Sequence, residues 1–279
     1  MKKIIAAFDG LKYSESTKEY AITIAKLTGA HLVGVFMDDS LYTSYKVYDL
    51  IVKDGVSEAE FKKAEAKDSS TRAAAAANFE KACQKAGIEY TVHHDKNIAI
   101  QALKHESVYA DLLIIDASET LSHYTEKLPT RFIRDLLSDV QCPVLVVPKK
   151  YKPINKVVLL YDGAPSSVYA VKIFSYLLPR LQEFAIDVIS VNPPDSTLHM
   201  PDNKLMKEFM KHHFPTAKYI VRKGWAEEEI VKYLKALQEH ALIVLGAYRR
   251  GTVSRWFRES MADTLMKNIK LPLFIAHNK

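Results

Sequence analysis

The sequence predicts an α/β protein built as two tandem, doubly wound, five-stranded parallel-sheet domains. Three observations predict this. One pattern is stated twice, since residues 3–10 read KIIAAFDG and residues 156–163 read KVVLLYDG. The apolar runs do not alternate with polar residues, which suits strands buried on both faces of a parallel sheet. Helical patterns separate those runs, and alternating strands and helices wind into a layered fold through right-handed crossovers.

The halves also close alike. An apolar run at 111–116 precedes Cys142-Pro143-Val144-Leu145-Val146-Val147, and a run at 241–246 precedes Leu271-Pro272-Leu273-Phe274-Ile275-Ala276. The opening pair is offset by 153 residues and the closing pair by 129, so 24 extra residues lie in the middle of the first half. A repeat this long means two copies of one domain; solenoid repeats are far shorter. The expected domains are residues 1–150 and 151–279, with the charged Lys149–Pro153 segment as linker.

The elements follow in order. Ile4–Phe8 is the first strand. Ser14 caps a helix whose Tyr20, Ala21, Ile24 and Leu27 share one side, and Gly29 stops it. His31–Phe36 is the second strand. A polar loop with Tyr42, Tyr45 and Tyr48 leads to Ser57-Glu58-Ala59-Glu60, a capping box that opens a long Ala-rich helix ending at Gly87. Leu112–Ile115 and Val144–Val147 complete the first set. The second half repeats the order with a shorter connection punctuated by Pro193, Pro194 and Pro201.

The bulk numbers bound the function. With 279 residues, 48% hydrophobic and 26% charged, the chain reads as a soluble globular protein with two ordinary cores. It contains no apolar stretch of 18 or more, and Met1-Lys2-Lys3 runs straight into a strand, so a cytoplasmic protein without membrane contact is expected. Two cysteines, Cys83 and Cys142, make no disulfide framework. The net charge of +6 is uneven: residues 1–150 carry 20 basic and 21 acidic groups, the rest 19 and 12. Arg249, Arg250, Arg255 and Arg258 concentrate the excess, and such a cluster either attracts anions or is a solvated face.

Ligands of doubly wound sheets bind beyond the carboxyl ends of strands, where strand order reverses. Asp9-Gly10 and Ala117-Ser118 hold that place in the first half, and Asp162-Gly163 and Gly246-Ala247 in the second.

Asp9-Gly10-Leu11-Lys12-Tyr13-Ser14 and Asp162-Gly163-Ala164-Pro165-Ser166-Ser167 resemble the Asp-Gly-Ser-x-x-Ser opening of the universal stress protein family. The closing strand-loop-helix-strand segments resemble the end of that family's domain. The resemblance covers nearly the whole chain in tandem form. It implies an adenine nucleotide α-hydrolase-like sheet of order 3-2-1-4-5, with ATP across the ends of strands 1 and 4. It also implies the loop Gly-x-x-Gly, nine residues, then Gly-Ser or Gly-Thr. Glycines there let backbone N–H groups approach phosphates, and the closing hydroxyl sits at a helix N-terminus that favours anions.

In the second half Gly246 and Ser260 stand where that loop wants them, and Ser260 with Asp263 makes a capping pattern. Arg249 and Glu259 replace two glycines, while Gly251 lends backbone freedom nearby. The resemblance thus implies a nucleotide site of Asp162, Gly163, Val191, Gly246, Tyr248, Arg249, Gly251 and Ser260, taking ATP or AMP with magnesium. Gly224-Trp225-Ala226 resembles the family's turn after strand 3. Aligned without gaps at 129, the first half puts Ala117 for Gly246, Thr120 for Arg249, Thr130 for Glu259 and Arg131 for Ser260, so no nucleotide is expected there.

Competing readings are blander. Asp9 and Asp162 either contact a ligand or order the turn after their strand. His93 and His94 point to opposite faces of a strand and cannot ligate one metal together, and His212 and His213 diverge by about 100° on a helix. Trp256 and Phe257 either stack on a base or plug the loop. No Gly-x-Ser-x-Gly elbow, Walker loop or His-Glu-x-x-His occurs, so no catalytic or metal residues are assigned.

The expected protein is a non-catalytic stress-response or regulatory module that binds an adenine nucleotide weakly in its second domain. The alternative is a slow ATP hydrolase using Glu259 or Asp263 in the same cleft. The closing strands are expected to meet around an intrachain pseudo-two-fold, a homodimer is compatible with this, and nucleic-acid binding is not expected.

Overall fold

A computed structural model of the chain describes residues 1–38, 58–95, 99–196, 198–237, 240–246 and 260–277. They divide into two compact units, Lys2–Gln141 and Cys142–Lys279. The fold is α/β with a mostly parallel arrangement of strands.

The first unit contains β1 (Lys3–Asp9), α1 (Glu15–Thr28), β2 (His31–Met37), α2 (Glu58–Ala86), β3 (Tyr90–Asp95), α3 (Ala99–Ser107), β4 (Leu112–Asp116) and α4 (Arg131–Asp139). Its strands lie in the order β3-β2-β1-β4 and run parallel. The core is aromatic. Phe8, Phe36 and Phe79 are fully buried, with ring centroids 5.1 Å apart for Phe8–Phe36 and 5.3 Å for Phe8–Phe79. Burying each such ring contributes about 2–3 kcal/mol. Gly34 in β2 makes room for this stack, because a Cβ there would lie 2.6 Å from Phe79 Cε1. Helix limits follow the sequence signals. The Ser14 hydroxyl accepts from the Thr17 N–H at 3.2 Å, and Gly29 ends α1 in the left-handed region at φ 66°. Gly87 ends α2 at φ 64°. The Ser57 half of the expected capping box and the tyrosines at 42, 45 and 48 lie outside the described residues.

The second unit opens with β5 (Val144–Val147) and continues with β6 (Lys156–Leu160), α5 (Pro165–Leu177), a 3₁₀ turn (Pro179–Glu183), β7 (Ala185–Asn192), α6 (Asn203–His213), β8 (Lys218–Lys223), α7 (Ala226–Ala236), β9 (Ala241–Gly246), α8 (Met261–Asn268) and β10 (Leu273–Ala276). The repeat's own strands lie in the order β8-β7-β6-β9-β10, which in repeat numbering is 3-2-1-4-5. β5 joins that sheet antiparallel to β10, pairing Leu145 with Phe274 and Val144 with Ile275. The closing strands of the two repeats therefore hydrogen-bond to each other. α2 has 29 residues where its counterpart α6 has 11, which places most of the extra chain of the first half.

Strand register corrects the gapless alignment of the halves. Ile4 pairs with Leu112 in the first unit, and its repeat partner Val157 pairs with Leu242 in the second. The offset at the fourth strand is therefore 130, one more than the spacing of the closing Cys-Pro and Leu-Pro segments suggests. Asp116, not Ala117, stands at the position of Gly246. The helix caps agree: Thr130 caps α4 as Ser260 caps α8. The missing residue is taken up later, since α4 has nine residues and α8 has eight.

Candidate functional site

The carboxyl ends of β6, β7 and β9 carry Asp162, Gly163, Val191 and Gly246 of the expected site, and Ser260 caps α8. Leu160 pairs with Ile189 and Leu159 with Val244, so two residues further on Asp162 is level with Val191 and Tyr161 with Gly246. The register thus brings Asp162, Gly163, Val191 and Gly246 to one end of the sheet. Tyr248, Arg249 and Gly251 lie outside the described residues, as do Glu259, the four clustered arginines and Trp256-Phe257.

Each described residue has a local role. Asp162 is exposed, and its Oδ1 accepts the Ala164 N–H at 2.9 Å, ordering the turn into α5. Gly163 holds φ 81°, and a Cβ on it would lie 2.8 Å from Pro201 Cβ. The segment before α6 thus folds over the end of β6. The Tyr161 hydroxyl donates to the Pro201 carbonyl at 3.1 Å and Asn192 Nδ2 to the His199 carbonyl at 2.8 Å, anchoring it there. Gly246 is required for close packing: a Cβ would lie 2.3 Å from the Ser166 carbonyl oxygen. That contact arises because α5 begins at Pro165, three residues earlier in the repeat than α1 begins in the first unit. The Ser260 hydroxyl accepts the Asp263 N–H at 3.1 Å, and Asp263 is itself buried. Gly224 sits at φ 143° with its N–H on the Asn192 carbonyl at 3.0 Å, and the next residue, Trp225, is 68% exposed.

The same end of the first unit is closed by carboxylates, which the sequence reading did not single out beyond Asp9. Asp9, Asp116 and Glu119 are all buried there. Asp9 Oδ1 accepts the Leu11 N–H at 2.7 Å. Asp116 Oδ2 accepts the Ser14 hydroxyl at 2.8 Å, and its Oδ1 accepts both the N–H and the hydroxyl of Ser118. Glu119 Oε1 accepts the N–H groups of Thr120 and Leu121, each at 2.9 Å. Burial and, next, the charge of Asp9 push the Glu119 carboxyl up to about 7, against the pull of the two amide bonds. Arg72 of α2 covers Gly10, where a Cβ would meet its Cγ at 2.9 Å, and pairs with Asp38 at 3.2 Å. A gapless reading hid this cluster, because it set Ala117 rather than Asp116 against Gly246.

The other candidates resolve into structural contacts. His93 Nδ1 meets Glu106 Oε1 at 2.7 Å, while His94 stacks on Phe36 at 5.7 Å, so the neighbours do go to different faces. His213 Nδ1 bonds the Ser175 hydroxyl at 2.7 Å, and burial lowers its imidazole below the ordinary value. Cys83 is buried, which pushes its thiol up to about 12 and leaves it protonated. A shallow cavity of about 380 Å³ lies at the opposite strand ends, between Lys152, His240 and Leu271; none of the expected site residues lines it.

A family comparison decides the identity. The sequence profile described as the Universal stress protein family matches residues 1–148. The chain belongs to the universal stress protein family. A crystal structure of a universal stress protein from Archaeoglobus fulgidus DSM 4304 is similar at TM-score 0.72 and 14% identity, covering 99% of this chain and 98% of that one. A functionally unknown protein from Pseudomonas aeruginosa PAO1 is similar at TM-score 0.65 and 13% identity, over 99% and 92% of the two chains. A shorter universal stress protein family member from Arabidopsis thaliana, solved with AMP bound, aligns with 52% of this chain at TM-score 0.34 and 12% identity. No curated protein matches the chain. Among the described residues no helix is long and apolar enough to cross a membrane.

Proposed function

We propose that the chain is a tandem universal stress protein acting as a non-catalytic regulatory module, and that its second repeat, residues 151–279, takes an adenine nucleotide weakly while the first, residues 1–150, does not. The observation that carries this reading is the exchange at the end of the fourth strand. The first unit buries a carboxylate, Asp116, where the second has Gly246 and no side chain at all. A buried cluster of three carboxylates repels a phosphate; a half carrying 19 basic against 12 acidic groups attracts one.

Within the second unit, the exposed Asp162 is placed to accept from a ribose or adenine donor, level with Val191. Ser260 opens α8, whose N-terminal partial positive charge favours an anion. Tyr248, Arg249 and Gly251 complete the proposed set, with the guanidinium supplying charge where the family uses an amide. Magnesium would accompany ATP through its phosphates. The antiparallel β5–β10 pairing supports an intrachain pseudo-dimer of the repeats. The second reading, slow hydrolysis, would need Glu259 or Asp263 as base; Asp263 is buried beside the Ser260 cap, which disfavours it.

Calorimetric titration of ATP and of AMP, with magnesium, tests the proposal. The expected result is one weak site per chain, lost in Asp162→Ala and kept in Asp9→Asn. No heat at millimolar nucleotide, or a site that survives Asp162→Ala, overturns it. Release of phosphate that disappears in Glu259→Gln would favour the hydrolase instead.

A further inference from the structure

The shallow cavity of the second unit lies between the last turns of α7 and α8, at the opposite end of the strands from the proposed nucleotide site. We infer that it binds a small amphiphilic anion, a medium-chain alkyl carboxylate, with the tail on an apolar floor and the carboxylate among lysines.

The floor comes from a difference between the repeats. In the first unit the matching helices are tied by polar groups. Lys104 Nζ of α3 pairs with Asp139 Oδ2 of α4 at 3.5 Å, and the Ser107 hydroxyl accepts the Gln141 N–H at 3.0 Å. The register offset of 130 at the fourth strand puts Leu234 at the place of Lys104 and Leu237 at that of Ser107. The closing offset of 129 puts Asn268 at the place of Asp139 and Lys270 at that of Gln141. Both ties are thereby lost. Asn268 instead turns its side-chain amide onto the Thr264 carbonyl of its own helix at 2.9 Å. Between the helices remains a cavity of about 380 Å³ with Leu234, Leu237, Ile269 and Leu271 on its wall. Leu234 is buried and the other three are half-buried, so they offer apolar surface to a guest. The volume falls at the lower end of the roughly 300–1,000 Å³ of small-molecule sites.

The charged lining is cationic. Lys152, Lys235 and Lys270 stand exposed at the rim, and no lining residue is acidic. His240 adds no charge at neutral pH, since burial and then the Lys152 ammonium lower its imidazole. Part of the lysine charge offsets the C-terminal ends of α7 and α8, each equivalent to about −0.5 of a charge and together about −1. Counting Glu239, the sequence neighbour of His240, the negative side reaches about −2. Three ammonium groups exceed that by about one, which matches a single carboxylate. A polyphosphate would bring more charge than the rim balances and nothing for the floor to cover. A neutral alcohol would leave the ammonium groups unanswered.

Equilibrium dialysis of the full chain against radiolabelled octanoate tests the inference without relying on a heat, which apolar transfer need not give near room temperature. One octanoate per chain is expected, displaced by hexanoate and less well by butyrate. Affinity should rise about two- to fourfold per methylene along that series, fourfold being the value for a fully buried CH₂. Octanol and inorganic phosphate should each compete at least about tenfold more weakly than unlabelled octanoate. Lys235→Ala together with Lys270→Ala, two exposed changes outside the core, should weaken octanoate by about three- to tenfold. No retention at millimolar octanoate overturns the inference. So does octanol or phosphate competing as well as octanoate, or retention unchanged by the double substitution. Millimolar AMP should not displace octanoate; displacement would put the carboxylate at the nucleotide end, overturning this inference while leaving the nucleotide reading intact.

Discussion

The two units end their fourth strands in opposite ways, and each solution excludes the other. In the first, Asp116 fits a Cβ and a carboxylate into the space before α1, because α1 begins late and presents the Ser14 hydroxyl at 2.8 Å. In the second, α5 begins three residues earlier, its backbone fills that space, and only glycine fits. One residue difference therefore follows from where a helix starts. Divergence of this kind removes a side chain from one cleft and adds two acids, Asp116 and Glu119, beside the Asp that both repeats keep.

The largest effect comes from forcing one solution on the other unit. Gly246→Asp drives a side chain into the Ser166 carbonyl and buries a charge, and should lower stability by about 3 kcal/mol. Urea unfolding followed by tryptophan emission reads this unit, since both tryptophans, Trp225 and Trp256, fall in the second half. Unchanged stability would mean that α5 retreats easily and that the contrast is soft.

The caps sharpen the comparison further. Thr130→Ala removes a cap and the bond to the Glu119 carbonyl together, for about 2 kcal/mol; Ser260→Ala removes a cap alone, for about 1 kcal/mol. Equal losses by denaturant titration would show that Thr130 does nothing for its loop beyond capping. The smallest effect is on acid sensitivity. Burial lowers the imidazoles of His213 and His240 in the second unit, aided by His212 and Lys172 for the first and Lys152 for the second. Lowered values mean stability present above the ordinary imidazole range and lost as pH falls below about 6.5. The second unit should therefore weaken on acidification. Tryptophan-detected unfolding at pH 7.5 and 5.5, with and without His213→Gln and His240→Gln, checks this.

Strands, their parallel order and the helix limits were legible because they rest on local signals. Ser14, Gly29 and Gly87 act through their own backbone, and continuous apolar runs identify strands buried on two faces. The acidic cluster was not legible. Asp116 and Glu119 lie more than a hundred residues from Asp9, and a one-residue slip in the alignment was enough to hide that Asp116 opposes Gly246. Nothing along the chain reports such a slip; only pairing with β1 and β6 does. Gly246 admits two readings at once. Its presence agreed with a phosphate loop, yet its lack of a side chain is already used by the Ser166 backbone. The sequence could not show that α5 starts early enough to need it.

The pairing of β5 with β10 also sets a clock. Leu145 and Phe274 are register partners separated by 129 residues of chain. At roughly 5–20 residues per second, a ribosome takes about 6–26 seconds to deliver β10 after β5 has been made. Through that interval the first repeat is largely synthesised, yet one edge of its last strand still waits for a partner. Four consecutive buried apolar residues, Val144 to Val147, are the stretch a nascent chain would have to shield from its neighbours on the same message.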